Sequence, residues 1–285
     1  MDFIKMHGLG NDFIMVNDMD ENIAEGRLPE LATKLCDRKF GIGADGLVLM
    51  LPSTQADVRM RIFNPDGSEP EMCGNAIRCF AKLAWEEGTV KKEALTVETL
   101  AGIIKPRLLL KGSDIEAVRV DMGEPRLERG EIPMSGTGTS PVAGETINLA
   151  DGKNFQFTAV SMGNPHCIIF VDDMNTVQLK NWGAELEKHP LFPKKTNVEF
   201  VEVVNDSHVK MRVWERGAGE TLACGTGACA TGVAAALNKH TGRKVTVSLT
   251  GGDLVIEWDD KTNHVYMTGP AAKVFTGRVE IKEEI

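Results

Sequence analysis

No stretch of the 285-residue sequence has the length and apolarity of a membrane span, and no run of Lys and Arg stands out along it. Phosphate and anionic lipid are bound by clustered basic side chains. A net charge of -9 without such a cluster therefore excludes nucleic acid and acidic membrane as the main partners and reads as a device of solubility. The start, Met1-Asp2-Phe3-Ile4-Lys5, lacks the basic and then apolar pattern of an export signal. A cytoplasmic protein, or the processed form of an organellar one, is expected. Among the six cysteines the CxxC spacing of a zinc or thioredoxin motif is missing: Cys73 and Cys79 are six apart, Cys224 and Cys229 five. Reduced thiols are expected, with Cys36, Cys79, Cys167 and Cys229 acting as small buried hydrophobes and no metal site.

What the sequence does contain is a repeat centred on a cysteine. Met60-Arg61-Ile62-Phe63-Asn64, eight residues, then Cys73-Gly74-Asn75 is matched without a gap by Met211-Arg212-Val213-Trp214-Glu215, eight residues, then Cys224-Gly225-Thr226. The echo reaches outward. Gly10-Asn11 answers Gly163-Asn164, Thr96-Val97 with Gly102 answers Thr246-Val247 with Gly252, and Met122 and Pro125 answer Met267 and Pro270. A period near 150 residues implies two homologous domains rather than a solenoid. The boundaries read from it are 1–124 with 271–285 for the first and 125–270 for the second.

Short alternating runs at 58–63, 118–122, 167–171, 209–214, 245–249 and 254–258 read as strands, so β structure should dominate an α+β fold. Helical patterns cover 29–39, 75–87, 177–188 and 226–239. The last, GTGACATGVAAALNK, is small and apolar almost all round, as expected of a helix enclosed by sheet. Each domain is therefore expected to be a curled sheet or barrel around a central helix, with an active site in the cleft between them. The Gly, Ser, Thr and Pro-rich stretch 130–144 reads as a surface loop. The alternating segment 273–281 has no counterpart in the repeat, and its simplest use is to return and pair with the first domain.

A thiol just ahead of a helix faces unpaired N–H groups and the positive end of the helix dipole, which should lower its pKa toward neutrality. Gly74 and Gly225-Thr226 let a substrate carboxylate approach those N–H groups. Two such helix starts could spread the charge of a carbanion formed by removing an α-proton, so that no cofactor is required. Glu215 and Arg216 could read an ammonium and a carboxylate, the Arg fork being suited to the latter. Asn11 and Asn164, each after a glycine, are turn residues or ligands. His166 is a core histidine or a group that tunes a thiol.

HGLGNDF (7–13), GIGADG (41–46), FNPDGS (63–68), MCGNAIRC (72–79), SMGNPH (161–166), TNVEF (196–200), WERGAGET (214–221) and ACGTGA (223–228) resemble the diaminopimelate epimerase family, in order and along essentially the whole chain. The resemblance implies cofactor-independent interconversion of LL- and meso-2,6-diaminopimelate, ahead of lysine and peptidoglycan precursors. It makes Cys73 and Cys224 the acid/base pair, with Cys224 the base toward the LL isomer. Asn11, Asn64, Asn164, Asn197, Glu215 and Arg216 would contact substrate, and Gly74-Asn75 and Gly225-Thr226 would hold the reacting carboxylate. His166 and Glu215 match positions that adjust the thiols. A homodimer is implied as well. Two positions depart from the pattern: Gly46 stands where many members have Gln, and Phe275 where others have a Tyr at the dimer contact. A proline or hydroxyproline racemase-like enzyme, with two opposed cysteines of its own, is the nearest alternative. From a different class, a thiol redox or metal-binding protein is the other.

Overall fold

The computed structural model describes residues 1–20, 23–138 and 140–281. The chain runs β1 (Asp2–Gly8), β2 (Asn11–Asn17), α1 (Leu28–Cys36), β3 (Gly46–Leu51), β4 (Val58–Phe63), α2 (Gly74–Glu86), β5 (Val97–Thr99), β6 (Gly102–Ile104), β7 (Arg107–Lys111) and β8 (Asp114–Asp121). It continues through β9 (Glu145–Asn148), β10 (Asn154–Ser161), β11 (Pro165–Val171), α3 (Leu179–Leu186), β12 (Asn197–Asn205), β13 (His208–Glu215), β14 (Gly219–Thr221) and α4 (Gly225–Leu237). After β15 (Lys244–Leu249), β16 (Gly252–Trp258) and β17 (Val265–Gly269) it ends on β18 (Ala272–Arg278). Two compact units result, Met1–Val120 with Gly269–Ile285, and Asp121–Thr268.

The first unit holds a sheet in the order β18-β1-β2-β3-β4-β5-β6. β1/β2, β3/β4 and β5/β6 are antiparallel pairs, while β2/β3 and β4/β5 are parallel. A parallel pair needs a crossover, and α1 and α2 supply the two. The second unit repeats the scheme. β10/β11, β12/β13 and β15/β16 are antiparallel, β11/β12 and β13/β15 are parallel, and α3 and α4 make the crossovers. The sequence repeat is thus a repeat of topology, with α2 and α4 in corresponding places.

α4 packs against β10, β11, β12, β13, β15 and β16 of one sheet. Six strands laid flat at about 4.8 Å would span roughly 24 Å, whereas a helix is about 10 Å across. One helix can touch them all only if the sheet curls around it. The sequence of α4 allows this, because small apolar residues from Gly225 to Ala235 are buried on every side. α2 is enclosed by β1, β2, β3, β4 and β7, with Arg78 wholly buried. Arg78 is held by the carbonyl of Gly74 at 3.0 Å and that of Pro270 at 3.3 Å.

Three expectations need correction. α1 stops at Cys36 rather than continuing to Lys39, since the carbonyls of Leu35 and Cys36 are taken by the amides of Ile42, Gly43 and Ala44 in a tight return. α3 is shorter than 177–188 by two residues at each end. The stretch 130–144, of which Thr139 lies outside the described residues, is more than a surface loop. Ile132 and Val142 are fully buried in the core of the second unit beside Phe157 and Phe192, and Val142 accepts a backbone hydrogen bond from Ala159. The segment at 273–281 does return: β18 pairs antiparallel with β1, and the Met1 ammonium donates to the carbonyl of Val279 at 2.8 Å.

Candidate active site

Both cysteines of the repeat are the N-cap residues of their helices, Cys73 of α2 and Cys224 of α4, with extended backbone at φ −136° and −121°. No side chain caps either helix start. The amides that begin these helices therefore face the cysteine side of the turn, where an anion is favoured.

In the first unit, Asn11 opens β2 and lies beside the thiol. Its Oδ1 accepts from Asn75 Nδ2 at 3.0 Å and is 3.8 Å from Cys73 Sγ. Its Nδ2 donates to Asp45 Oδ2 at 2.8 Å. Asp45 is in turn held by Arg38 at 2.7 Å, and Arg38 and Lys5 both bind Asp12 at 2.7 Å. Burial pushes the Asp12 carboxyl up, but Arg38 and Lys5 outweigh it and hold it well below the usual carboxylate range. This ion cluster was not read from the sequence, although two of its members, Asp12 and Asp45, fall in GNDF and GADG. Asn64 stands apart from the Asn11 group, with its amide donating to Ser68 Oγ at 2.9 Å in the turn after β4. Gly46 opens the parallel pairing with Phe13. A Cβ there would lie 3.1 Å from the Phe63 carbonyl oxygen, so a larger residue requires the strand to give.

In the second unit the named residues are more tightly joined. Asn164 Nδ2 donates to Thr226 Oγ1 at 3.2 Å, its Oδ1 is 3.1 Å from His166 Nε2, and Thr226 Oγ1 is 3.6 Å from Cys224 Sγ. His166 Nδ1 is 2.6 Å from Glu199 Oε1, and both side chains are wholly buried. Glu199 is the functional candidate that sequence reasoning passed over. Its signal was a carboxylate inside the apolar run of β12. Glu215 accepts from Thr221 Oγ1 at 2.5 Å at the end of β13. Asn197 is buried with both polar ends used: Nδ2 donates to the Pro165 carbonyl and Oδ1 accepts from the Arg216 amide, each at 2.9 Å. The Arg216 guanidinium donates to the Lys194 carbonyl at 3.2 Å on an exposed surface.

One expectation about the thiols is overturned. Cys224 is 4% exposed, and its pKa is raised well above the ordinary value, first by burial and then by the neighbouring carboxyl groups of Glu215 and Glu199. The Thr226 hydroxyl and the Gly227 amide act in the opposite direction without prevailing. The helix start is present, but desolvation next to two carboxyl groups is the larger effect. Cys36 and Cys79 are buried and raised to about 11 and about 12, and Cys167 is raised as well, in keeping with inert core thiols. Among the described residues no disulfide forms, and no three His, Cys, Asp or Glu side chains gather as a metal-binding group. Among the described residues no helix is long and apolar enough to cross a membrane.

Residues 3–128 and 158–274 each match the family model for diaminopimelate epimerase, one segment for each copy of the cysteine motif. The chain belongs to the diaminopimelate epimerase family. It is 62% identical to the diaminopimelate epimerase of Moorella thermoacetica over 97% of this chain and 98% of that one. It is 59% identical to that of Pelotomaculum thermopropionicum, again over 97% and 98%. The epimerase of Methanococcus maripaludis is 52% identical over 99% of this chain and all of its own. Among solved structures, a PhzF-family phenazine biosynthesis protein from Bacillus anthracis superposes with a TM-score of 0.72 at 18% identity, covering 99% of both chains. A probable proline racemase from Agrobacterium radiobacter gives 0.69 at 16%, over 99% of this chain and 94% of that one. At such identities the likeness is one of fold, shared by diaminopimelate epimerase and racemase families alike.

Proposed function

We propose that this protein interconverts LL- and meso-2,6-diaminopimelate by moving a proton at one α-carbon with Cys73 and Cys224 as the acid/base pair. The observation that carries the reading is the duplicated cysteine, twice the N-cap of a helix enclosed by its sheet. Family membership selects diaminopimelate over the proline substrates of the racemase alternative.

Inversion at carbon requires one thiolate to take the α-proton from one face while a thiol delivers a proton to the other. The mechanism therefore requires Cys73 and Cys224 to reach opposite faces of the same carbon. The developing carbanion is stabilised through its carboxylate by the amides at Gly74-Asn75 and Gly225-Thr226, which are fixed before the reaction begins. Charge stabilisation and proton transfer then both come from the protein, and the scheme calls for no metal or cofactor.

The raised pKa of Cys224 fits into this cycle. The charge of Glu215 disfavours the thiolate. A substrate ammonium paired with Glu215 would remove that charge, so substrate itself would prepare Cys224 to ionise. Asn11, Asn64 and Asn164 supply polar contacts, and Arg216, its backbone anchored by Asn197, takes the distal carboxylate. A cytoplasmic homodimer completes the proposal. Val274 and Phe275 on β18, 55% and 47% exposed, are the apolar residues offered for the contact.

The test is to assay Cys73→Ser and Cys224→Ser with each isomer in deuterated solvent. Ser raises the pKa of one partner far above neutral, so epimerisation should collapse in both folded variants. Wild-type-like turnover in either would remove that cysteine from the mechanism. A parallel screen of α-deuterium incorporation over a panel of amino acids, proline included, decides between the epimerase and racemase readings.

A further inference from the structure

The four contacts around His166 form a chain with a direction. The Asn164 amide donates through Nδ2 to Thr226 Oγ1, so its Oδ1 is left to accept from His166 Nε2, which must then carry a hydrogen. Thr226 accepts from Asn164, and its own hydroxyl hydrogen is then available to point at Cys224 Sγ, 3.6 Å away. Reversing any one link reverses the next. If His166 took the other tautomer, Nε2 would become an acceptor, Asn164 would turn its NH2 toward it, and Thr226 would donate to Asn164 rather than to sulfur. The polarity of the whole chain is therefore set at its buried end, where Nδ1 of His166 meets Glu199.

Glu199 is also next to the sulfur by a second route. A Cβ placed on Gly227 would lie 2.7 Å from Glu199 Oε1 and 3.3 Å from Cys224 Sγ. The carboxyl group and the thiol thus flank one glycine of α4, and only glycine leaves room for both. Glu199 Oε2 is buried without a hydrogen-bond partner, unusual for a carboxylate oxygen in a folded protein. An ionised carboxylate would be costly there, whereas a carboxylic acid donating its single proton from Oε1 to Nδ1 is satisfied at that atom.

We propose that Glu199 is a positioning residue for the epimerisation: it fixes His166 in the tautomer with hydrogen on Nε2 and, through Asn164, turns the Thr226 hydroxyl hydrogen onto the Cys224 sulfur. The hydrogen bond so delivered strengthens as the sulfur becomes a thiolate, so it favours the ionised state that the reaction needs. This rests on the function proposed above. The titratable groups facing this region are Glu215 from β13, Glu199 from β12, and His166 and Cys167 from β11. Of these, Glu199 is the one whose proton sets the direction of the chain.

The experiment measures kcat, KM and their pH dependence with LL-diaminopimelate for wild type, Glu199→Ala, Glu199→Gln, Thr226→Val and the double variant Glu199→Ala/Thr226→Val. A wild type inactive on diaminopimelate would overturn the function itself, whereas the results below bear on Glu199 alone. Glu199→Ala frees the His166 tautomer, so kcat should fall by about tenfold or more with KM nearly unchanged, the scale of a slightly misplaced reacting group. The limb of the profile on which activity rises with pH should move upward by about one unit, as expected when a thiolate loses a hydrogen bond. Glu199→Gln can donate an amide hydrogen to Nδ1 and keep the tautomer, so it should restore both. The double variant should be no slower than Thr226→Val, because the two residues act in series. Should the alanine variant fail to fold, Glu199→Asp, which keeps the acid but withdraws it from Nδ1, should show the same loss and shift. A wild-type pH profile in Glu199→Ala or Glu199→Asp, a loss confined to KM, a glutamine variant as slow as alanine, or additive losses in the double variant would overturn the proposal.

Discussion

At Gly227 the absence of a side chain is a functional requirement. Alanine is the better helix former, by about 1 kcal/mol over glycine in a helix interior, so propensity alone would reward the exchange. A methyl 2.7 Å from Glu199 Oε1 forfeits more, since overpacking costs typically 1–3 kcal/mol. Gly227→Ala should therefore lower the unfolding midpoint and, by pushing Glu199 away from His166, slow turnover more than its loss of stability explains; rates compared well below the melting temperature separate the two. Arg216 makes a different prediction. Its guanidinium lies on an exposed surface, so Arg216→Lys should leave stability nearly unchanged while KM rises and kcat holds, because charge is retained and the bidentate fork is lost. An unchanged KM would remove Arg216 from the substrate site.

Helices and sheets meet through small residues here, and the same competition decides their packing. A Cβ on Gly232, in the middle of α4, would meet Ile256 Cγ2 at 2.7 Å and Val245 Cγ1 at 3.3 Å. Both neighbours are β-branched and buried, so neither can swing aside. Gly232→Ala is expected to destabilise by about 1–3 kcal/mol despite its better propensity, measured as a lower urea midpoint; a more stable variant would show that the sheet can move off the helix. At this scale the sequence was most legible. The strand over 58–63 has the expected bounds, and α2 and α4 begin one residue earlier than their patterns suggested. The strong signals were a glycine after each cysteine and an unbroken run of small apolar residues. Strand register was hidden. His166 and Glu199 are 33 residues apart and meet through the parallel pairing of β11 with β12, which no local pattern announces. The Asp12, Asp45, Arg38 and Lys5 cluster was hidden for the same reason, as it gathers residues from β1, β2 and the segment between α1 and β3. The thiol pKa was misjudged because desolvation depends on what the fold packs over a cysteine, which the helix dipole does not report.

For the whole molecule, acid response follows from Asp12. Its pKa in the folded protein lies below the unfolded value, so its contribution is complete above the unfolded pKa of about 4 and fades as pH falls through the folded one. Stability should thus decline below about pH 4, and Asp12→Asn should be less stable at neutral pH yet lose less on acidification; parallel unfolding curves at the two pH values would exclude this role. The division into units makes another prediction. The second unit is one continuous segment, whereas the first is assembled from both ends of the chain. Deleting residues 272–285 should expose the edge of β1 and cost the first unit its order while sparing the second, read as selective loss of amide protection in hydrogen exchange.

That return of β18 to β1 also fixes an order of events during synthesis. Met1 is synthesised well before Val279, and the bond between them spans 278 positions. β1, made before the second unit, must wait with an open edge through the translation of that entire unit, at roughly 5–20 residues per second. The second unit, one continuous stretch of chain, can fold while β18 is still being made. Vectorial synthesis therefore reverses the chain order of maturation. The nascent first unit is the part that needs shielding from other nascent chains, and ribosomes stalled before residue 272 should display it to holding chaperones and proteases.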